Sequence, residues 1–431
     1  MPDLVGSLKK LIESEDFCNR HKERPQDFTR NRALPFKNLI YYMINLPVAA
    51  YETELYNLNK NLNGLDIAQP LATKGALTKA REKLSHMAFI ELNDHFIDLS
   101  QTHFAPNRWN GFFLLATDGT LCTLPTAKPV VEHFGQWHGR QGDPCPKARV
   151  SQLYDVLNHI TVAASITSKN IGERELAAAH SVHLSPDDLL LLDRGYECFW
   201  LFKLILISGA NVCARVSCNK LKIVKAFLRS GESERFIKLS CTPNSARKCA
   251  EFDLDKKPLR LRLIRVDLPT GETEVLITSL TDRQKYPTEI FGDLYHQRWP
   301  VEEDYKIMKS RIQIENFSGK TVHSVYQDFY AKIFTKNFAS ILIQSVNDQI
   351  EAITAGRLYS YKANFTNVLA MTRHHIIVLF NRMQDLLCDN VSKIQSLIVR
   401  ALNEIRPGRS KPRAFKKKSR KKFSTAYKPI S

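Results

Sequence analysis

The sequence lacks the features that mark membrane, secreted and nucleotide-driven proteins. No apolar run approaches the ~18 residues that a membrane helix needs. The amino terminus mixes acids and lysines where a signal peptide carries an unbroken apolar segment. A glycine-rich phosphate loop is also missing. We therefore expect a cytoplasmic protein with no membrane partner and no nucleotide cofactor.

The cysteines do not form a disulfide framework. There are nine, an odd number, and they are scattered along the chain, which favours reduced thiols. Four of them lie in one region, at Cys213, Cys218, Cys241 and Cys249. Their spacings are not those of a zinc knuckle, so a structural zinc is not expected.

Acidic residues are too few to balance the basic ones. The chain has 62 Lys and Arg against 44 Asp and Glu, a net charge of +18 that predicts acidic partners. Eleven basic residues and no acid lie in 406–431, which predicts a disordered tail. The tail has three open interpretations: a solubilising segment, a nuclear-import signal, or a contact with nucleic acid.

Apolar periodicity predicts helices throughout residues 1–108. Within this region the segment Thr73–Leu84 has apolar residues on one side and Lys74, Lys79 and Arg81 on the other. This pattern is typical of a helix that reads a DNA groove, but a solvated basic face has the same pattern. The three cations are candidate DNA-binding residues.

From residue 109 the pattern changes to that of a sheet. Phe112–Ala116 and Leu189–Leu192 are short apolar runs, typical of strands buried on both faces of a mixed or parallel sheet. The segment Leu259–Leu268 alternates apolar and basic residues, which predicts a half-exposed antiparallel strand. After residue 321 the chain is predicted to be helical again.

Each of the two apolar runs is followed closely by an acid. These are Asp118 and Asp193, and we expect both at the carboxyl ends of strands, where ligands bind in open α/β sheets. The simpler interpretation of either acid alone is an ordinary turn residue.

A third acid lies in the segment YHQRWPVEEDYKIMK. On one continuous helix, four of its side chains would fall within a sector of roughly 60°; they are Tyr295, Arg298, Glu302 and Lys309. Lys306 would join the same face. Such a face is also typical of an exposed helix with ion pairs, Glu302 and Lys306 having suitable spacing. Pro300 is incompatible with a straight helix, so either the helix bends there or a second helix begins.

The spacing Y-x2-R-x3-E-x6-K, together with Asp118-Gly119-Thr120 and Asp193-Arg194-Gly195-Tyr196, resembles the insertion-sequence-4 family of bacterial DDE transposases. The resemblance extends over roughly residues 70 to 345. It implies an α/β fold: a ribonuclease-H-like catalytic core with a mixed sheet and flanking helices, interrupted by an antiparallel β-rich insertion and joined to helical N- and C-terminal regions.

The resemblance and the sequence pattern together predict six segments. They are a helical N-terminal DNA-binding region at 1–108, the first part of the core at 109–212, the β-rich insertion at 213–290, the second part of the core with the catalytic helix at 291–330, a helical C-terminal region at 331–405, and the basic tail at 406–431.

Three converging carboxylates repel one another unless cations neutralise them, and oxygen ligands select Mg²⁺ or Mn²⁺. We therefore expect Asp118, Asp193 and Glu302 to be catalytic and to bind two such ions. Arg298 and Lys309 would hold DNA phosphates, and the resemblance gives Tyr295 the same task. Arg194 and Lys306 are further candidate DNA-binding residues.

The predicted function is that of a transposase that binds the terminal inverted repeats of its element and cleaves and transfers DNA strands. Its partners would be double-stranded DNA of the repeats and of the target, and a second copy of the chain. Two alternatives stay open: a nuclease of the same fold that cuts without joining, and a DNA-binding descendant with idle carboxylates. We expect the protein at the bacterial nucleoid.

Overall fold

The computed structural model describes residues 1–30, 32–137, 144–381 and 384–406. The chain divides into two compact units. The helical unit comprises Met1–Ala105, Cys122–Ala148 and Met308–Ser431, and the sheet unit comprises Pro106–Leu121 and Arg149–Ile307.

Strands are numbered in chain order. They are β1 Phe113–Thr123, β2 Gln136–Trp137, β3 Cys145–Asp155, β4 Ile160–Ser168, β5 Asp188–Leu192, β6 Asn211–Val216, β7 Glu234–Leu239, β8 Leu259–Asp267, β9 Thr273–Thr278, β10 Ser360–Ala363 and β11 Leu402–Ile405. The last two pair with each other as a separate antiparallel ribbon.

Helices are numbered in the same way. They are α1 Pro2–Glu13, α2 Glu15–His21, α3 Phe36–Ile44, α4 Tyr51–Asn63, α5 Lys74–Arg81, α6 Met87–His103, α7 Lys128–Phe134, α8 Glu173–Ala179, α9 Phe199–Ile207, α10 Lys222–Ser230, α11 Pro243–Glu251, α12 Ile290–His296, α13 Pro300–Ser310, α14 Val322–Gln344, α15 Asn347–Thr354, α16 Phe365–Asn381 and α17 Gln384–Arg400. Short 3₁₀ helices cover His180–His183 and Arg194–Tyr196.

The centre of the sheet has the strand order β4–β3–β1–β5–β6. β1 pairs parallel with β5, and β5 pairs parallel with β6. β3 runs antiparallel to β1, because Val156 donates to the carbonyl of Leu114 while Thr117 donates to that of Gln152. This is the ribonuclease-H-like arrangement, and the predicted fold class is confirmed.

The strands β1 and β5 are buried on both faces, as their apolar runs predict. Leu115 and Leu190 pack into a core on one side of the sheet, while Leu114 and Leu189 pack into a core on the other. Successive side chains of a strand point to opposite faces, so four apolar residues in a row fill two cores.

The antiparallel strands β7, β8 and β9 extend the same sheet, because β9 pairs with β6. The prediction of a half-exposed β8 is wrong at its centre, where Arg262 is fully buried. Its guanidinium pairs with Glu234 and donates to the carbonyl of Tyr286 at 2.6 Å. The hydrogen bonds and the ion pair compensate the cost of burying this charge.

The helical unit is built around α14, which is buried along most of its length. It packs against α3, α6 and α16. Phe338 stacks on Phe96 with the ring centroids 5.2 Å apart. No helix in the described part of the chain combines the length and the apolar character needed to cross a bilayer.

Arg81 lies inside this unit, and its predicted place on an exposed basic face is wrong. Its guanidinium pairs with the carboxylate of Asp328 on α14 at 2.9 Å and donates to Gln327 at 3.0 Å. The side chains of Arg81 and Asp328 are both buried. Arg81 therefore joins α5 to α14.

Of the predicted basic tail, only Arg406 belongs to the described residues. It forms an ion pair with Glu404, and its guanidinium lies 5.6 Å from the ring centroid of Tyr359. The prediction for 407–431 lies outside the described residues.

The buried Arg81–Asp328 pair gives a stability prediction. Arg81→Met leaves the carboxylate of Asp328 buried without a counter-charge, so the free energy of unfolding should fall by about 3–5 kcal/mol. Urea denaturation followed by circular dichroism measures this change. In the double variant Arg81→Met/Asp328→Leu most of the loss should disappear, because neither charge remains. An equal loss in both variants would contradict the explanation.

Candidate active site

Asp118 and Asp193 each lie two positions beyond a pair of opposite residues on two neighbouring parallel strands. In the pairing of β1 with β5, Ala116 lies opposite Leu191, an offset of 75 positions. The same offset separates the two acids. β1 continues to Thr123, so Asp118 lies within its strand and not at its end as predicted, whereas Asp193 directly follows β5.

The next strand adds a residue that the sequence analysis missed. β6 pairs with β5 at an offset of 22 positions, with Ala214 opposite Leu192. This offset places Arg215 level with Asp193. Its guanidinium pairs with the Asp193 carboxylate at 2.7 Å and with Glu274 on β9 at 2.6 Å. The available signal was its place directly after the apolar residues 212–214, which form the centre of β6.

Glu302 lies in the first turn of α13. Of the two alternatives left open at Pro300, the second is correct, because α12 ends at His296 and Pro300 opens α13. Proline suits the first position of a helix, where its missing N–H costs nothing. The continuous helix on which the common face depended is therefore absent, and Tyr295 and Glu302 lie on two different helices.

Arg298 lies in the turn between these helices and is buried. It donates to the carboxylate of Glu302 at 2.7 Å, and its guanidinium lies 5.8 Å from the ring centroid of Tyr295. Its charge also acts on Asp118 and on Asp193. Arg298 is thus the side chain that links the three predicted catalytic acids electrostatically.

The two strand acids have opposite pKa shifts. Burial raises the pKa of Asp193, but the N–H of Arg194 and the charges of Arg215 and Arg298 outweigh it, so the pKa lies below its usual value. The hydroxyl of Tyr295 lies 3.5 Å from the same carboxylate. Asp193 is therefore ionised at neutral pH.

Burial raises the pKa of Asp118 to about 6. The N–H of Gly119, which donates to the carboxylate at 2.8 Å, and the charge of Arg298 oppose this shift, while the carboxylates of Glu302 and Glu173 reinforce it. Within the described residues Asp118 has no ion-pair partner. Its negative charge is therefore the least compensated among the three acids.

Glu173, at the start of α8, is a second residue that the sequence analysis missed. Its side chain packs against Gly119 so closely that a Cβ atom at Gly119 would lie 3.3 Å from the Glu173 carboxylate oxygen. The side chain of Glu173 also pairs with Arg149 at 3.8 Å. Glycine at position 119 therefore makes room for a fourth acid beside Asp118.

The described residues contain no group of three His, Cys, Asp or Glu side chains already arranged to hold a metal ion. The chemistry of the donors nevertheless fits a divalent cation. Asp118 has a raised pKa because it is buried near two other carboxylates, and a cation there would favour its ionised form. Carboxylate oxygens are the ligands that Mg²⁺ and Mn²⁺ prefer.

The remaining DNA-binding candidates lie in different surroundings. Arg194, Lys74, Lys79 and Lys306 are exposed. Lys306 pairs with Glu303, and the carboxylate of Glu302 is held by Arg298. Lys309 lies in the last turn of α13.

Comparisons with known proteins identify the family of this chain. The family model for the transposase DDE domain matches residues 113–338, just over half of the chain. The transposase InsG for insertion sequence element IS4 of Escherichia coli (strain K12) is 23% identical over 315 residues, which cover 72% of this chain and 70% of that protein. A solved structure of the piggyBac transposase synaptic complex with hairpin DNA covers 90% of this chain and 85% of that chain, with a TM-score of 0.45 and 11% identity.

The raised pKa of Asp118 predicts how stability depends on pH. The folded pKa, about 6, exceeds the unfolded value of about 3.9. Protonation therefore stabilises the fold fully below about pH 4, and this stabilisation is lost as the pH rises through 6. Asp118→Asn, which carries no charge, should be more stable than the unmodified protein by about 1–3 kcal/mol at pH 8 in EDTA.

The measurement is urea denaturation at several pH values. The two proteins should have similar stability near pH 4, where the carboxyl is protonated. A difference in stability that does not change between pH 4 and pH 8 would contradict the prediction.

Proposed function

This chain belongs to the transposase DDE domain family and is a DNA transposase, and we propose that Asp118, Asp193 and Glu302 are its catalytic carboxylates. The observation that carries the proposal is the shared register of Asp118 and Asp193 on neighbouring strands. The contact between Arg298 and Glu302 adds the third acid to the same charge network.

DDE transposases generally use divalent metal ions. In this chain the proposed ligands of two Mg²⁺ or Mn²⁺ ions are the carboxylates of Asp118, Asp193 and Glu302. Ions bound there would activate the attacking oxygen and stabilise the departing one during in-line attack on a phosphodiester. Glu173 adds negative charge near Asp118, which would further favour a cation.

The arginines of the site position the acids and the DNA. Arg215 orients Asp193 and keeps it ionised, through the contact at 2.7 Å. Arg298 holds Glu302, and its buried Nε has no hydrogen-bond partner within the described residues. The family signature gives Arg298 a contact with a phosphate of the bound strand as well, a ligand that the planar guanidinium suits. Tyr295 and Lys309 keep the phosphate-binding role that the family signature gives them.

Further contacts with DNA are proposed for exposed cations. Arg194 directly follows Asp193, Lys306 lies on the helix that carries Glu302, and Lys74 and Lys79 lie on α5. Such contacts position the duplex without reading its sequence. The proposed substrates are the terminal inverted repeats of the element and the target DNA. Two ends must be cut and paired, so we propose a homodimer, acting at the nucleoid where its DNA substrate lies.

One assay separates this function from its two alternatives. A labelled element end is incubated with Mg²⁺ and a target plasmid. Joined products support strand transfer, cut products alone indicate a nuclease, and a bound but uncut end indicates an inactive descendant. The family match favours the first outcome.

The catalytic assignment gives a matched pair of variants. Glu302→Gln should lower the rate of cleavage by at least about a thousandfold, in the range seen when one essential catalytic group is removed, because a neutral amide is a poor metal ligand. Glu303→Gln removes the neighbouring acid, which pairs with Lys306 instead, and should leave the rate unchanged. Gel analysis of a labelled element end measures both rates.

Asp118→Asn should abolish cleavage in the same way while its binding to the element end stays nearly intact. Loss of binding as large as the loss of cleavage would point to misfolding. Equal effects of Glu302→Gln and Glu303→Gln would remove Glu302 from the catalytic set.

The role of Arg215 can be tested through metal dependence. Arg215→Ala releases Asp193 from its partner, so the Mg²⁺ concentration for half-maximal cleavage should rise, or the maximal rate fall, by about 10–100-fold. Arg265→Ala is the matched control, because this arginine lies on β8 and pairs with Asp267 outside the site. If both the Mg²⁺ dependence and the maximal rate of Arg215→Ala were unchanged, the positioning role would be wrong.

A further inference from the structure

Asp193 lies at the start of the turn that leads from β5 to α9. The N–H of Tyr196 donates to the carbonyl of Asp193 at 2.9 Å and closes one 3₁₀ turn. Tyr196 is buried in the core on one face of the sheet, whereas Arg194 and Gly195 are exposed. The middle of this turn has little packing of its own, so its position depends on contacts from other elements.

One such contact comes from Arg174 on α8, which belongs to the same sheet unit. The Nε–H of Arg174 donates to the carbonyl of Gly195, two positions beyond Asp193, at 2.8 Å. Arg215 holds the carboxylate of Asp193 at 2.7 Å. Two arginines therefore hold this acid, Arg215 through its side chain and Arg174 through the backbone of the turn that follows it.

The helix α8 is itself fixed, so that Arg174 extends from a supported position. The carboxylate of Glu175 accepts the N–H of Gly172 at 3.0 Å, which caps the start of the helix. The same carboxylate pairs with Lys248 on α11 at 2.7 Å. Residues 176–178 are buried, which anchors the rest of the helix. The hydrogen bond from Arg174 thus connects the exposed turn to a part of the fold that is held on both sides.

The position of this turn matters for chemistry at Asp193. Distances between a divalent cation and its carboxylate oxygens are only ~2–2.6 Å, so a ligand that moves by a fraction of this length no longer binds. A misplacement of about 1 Å, even when its cause lies away from the reacting atoms, can cost about a hundredfold in rate. A contact that fixes the backbone beside Asp193 therefore acts on the reaction.

We propose that Arg174 is a positioning residue of the active site, which fixes the turn after β5 so that the carboxylate of Asp193 stays in place to bind a divalent cation. The inference rests on the proposed function, since it takes Asp193 to be one of the metal ligands. Arg174 acts through its hydrogen bond to Gly195, and the positive charge of its guanidinium is not required.

The test separates the N–H of Arg174 from its charge. Arg174→Gln and Arg174→Met both remove the charge, but the amide nitrogen of Gln lies the same number of bonds from Cα as the Nε of Arg and can donate to the same carbonyl. Met has a similar length and no donor, and it is a good helix former, so α8 is retained. Arg229→Met is the control, because Arg229 is an exposed arginine on α10.

Three quantities are measured for each variant. They are the rate of cleavage of a labelled element end at saturating protein, the affinity for that end in EDTA by fluorescence anisotropy, and the affinity for Mn²⁺ in the absence of DNA by electron paramagnetic resonance. Urea denaturation followed by circular dichroism establishes that the variants are folded.

Arg174→Met should cleave about 10–100-fold more slowly and bind Mn²⁺ about tenfold more weakly, as is typical when a group that orients a metal ligand is lost. Its affinity for DNA should not change. Arg174→Gln and Arg229→Met should stay close to the unmodified protein in all three quantities. Equal losses in Arg174→Gln and Arg174→Met would show that the charge acts, as in a phosphate contact, and would overturn the proposal. Unchanged Mn²⁺ affinity in Arg174→Met, or a loss confined to DNA affinity, would overturn it too.

Asp193→Asn distinguishes a failure of this inference from a failure of the proposed function. If Asp193→Asn cleaved DNA and bound Mn²⁺ normally, Asp193 would leave the catalytic set. If Asp193→Asn were inactive and bound Mn²⁺ weakly while Arg174→Met behaved like the unmodified protein, the catalytic set would stand and the positioning role of Arg174 would be wrong.

Discussion

The parallel pairing of β1, β5 and β6 is the constraint on which the site depends. Its offsets of 75 and 22 positions also separate Asp118 from Asp193 and Asp193 from Arg215, so the three side chains continue the register of β1, β5 and β6. Because side chains alternate between the faces of a sheet, a slip of one residue would turn Asp118 to the opposite face. The two close-packed cores oppose such a slip, because Leu114 and Leu115 would each have to pack into the core on the other face of the sheet. Packing of the sheet therefore fixes the geometry of the acids.

The second determinant of the site is an uneven distribution of cations among the acids. Arg215 neutralises Asp193 and Arg298 neutralises Glu302, whereas Asp118 has only the more distant charge of Arg298. The pKa values of the two strand acids are consequently pushed apart, which is a common property of functional carboxylates. Burial of Asp118 is costly for the apo protein, and a divalent cation is the group that would offset this cost.

The excess of basic residues has more than one use in this chain. Arg81 and Arg262 are buried and stabilise the fold through Asp328 and Glu234. Lys332 is buried too, and donates to two backbone carbonyls of the segment that precedes α14. A net positive charge therefore does not identify the surface that meets DNA. The exposed cations that are proposed to contact DNA, such as Lys74 and Lys79, have to be distinguished from these structural cations.

The sequence by itself determined the local features of this protein. Two apolar runs predicted the central strands and pointed to Asp118 and Asp193, and the spacing around Tyr295, Arg298 and Glu302 indicated the transposase family. Proline at position 300 indicated that the helix around it is bent or interrupted. These features depend on neighbouring residues, whose side-chain periodicity a reader of the sequence can follow.

Tertiary structure decided the rest, because the partners are far apart in the chain. The pairing of β1 with β5 relates Asp118 to Asp193, and Arg215 contacts Asp193 from a third strand. Arg81 was predicted to be exposed from the pattern of α5 alone, but its partner Asp328 lies 247 positions away and draws it into the core. The place of Glu173 beside Gly119 does not follow from local spacing either. The burial of these side chains and the choice of their charged partners depend on the packing of distant segments, so a short-range sequence pattern cannot predict them.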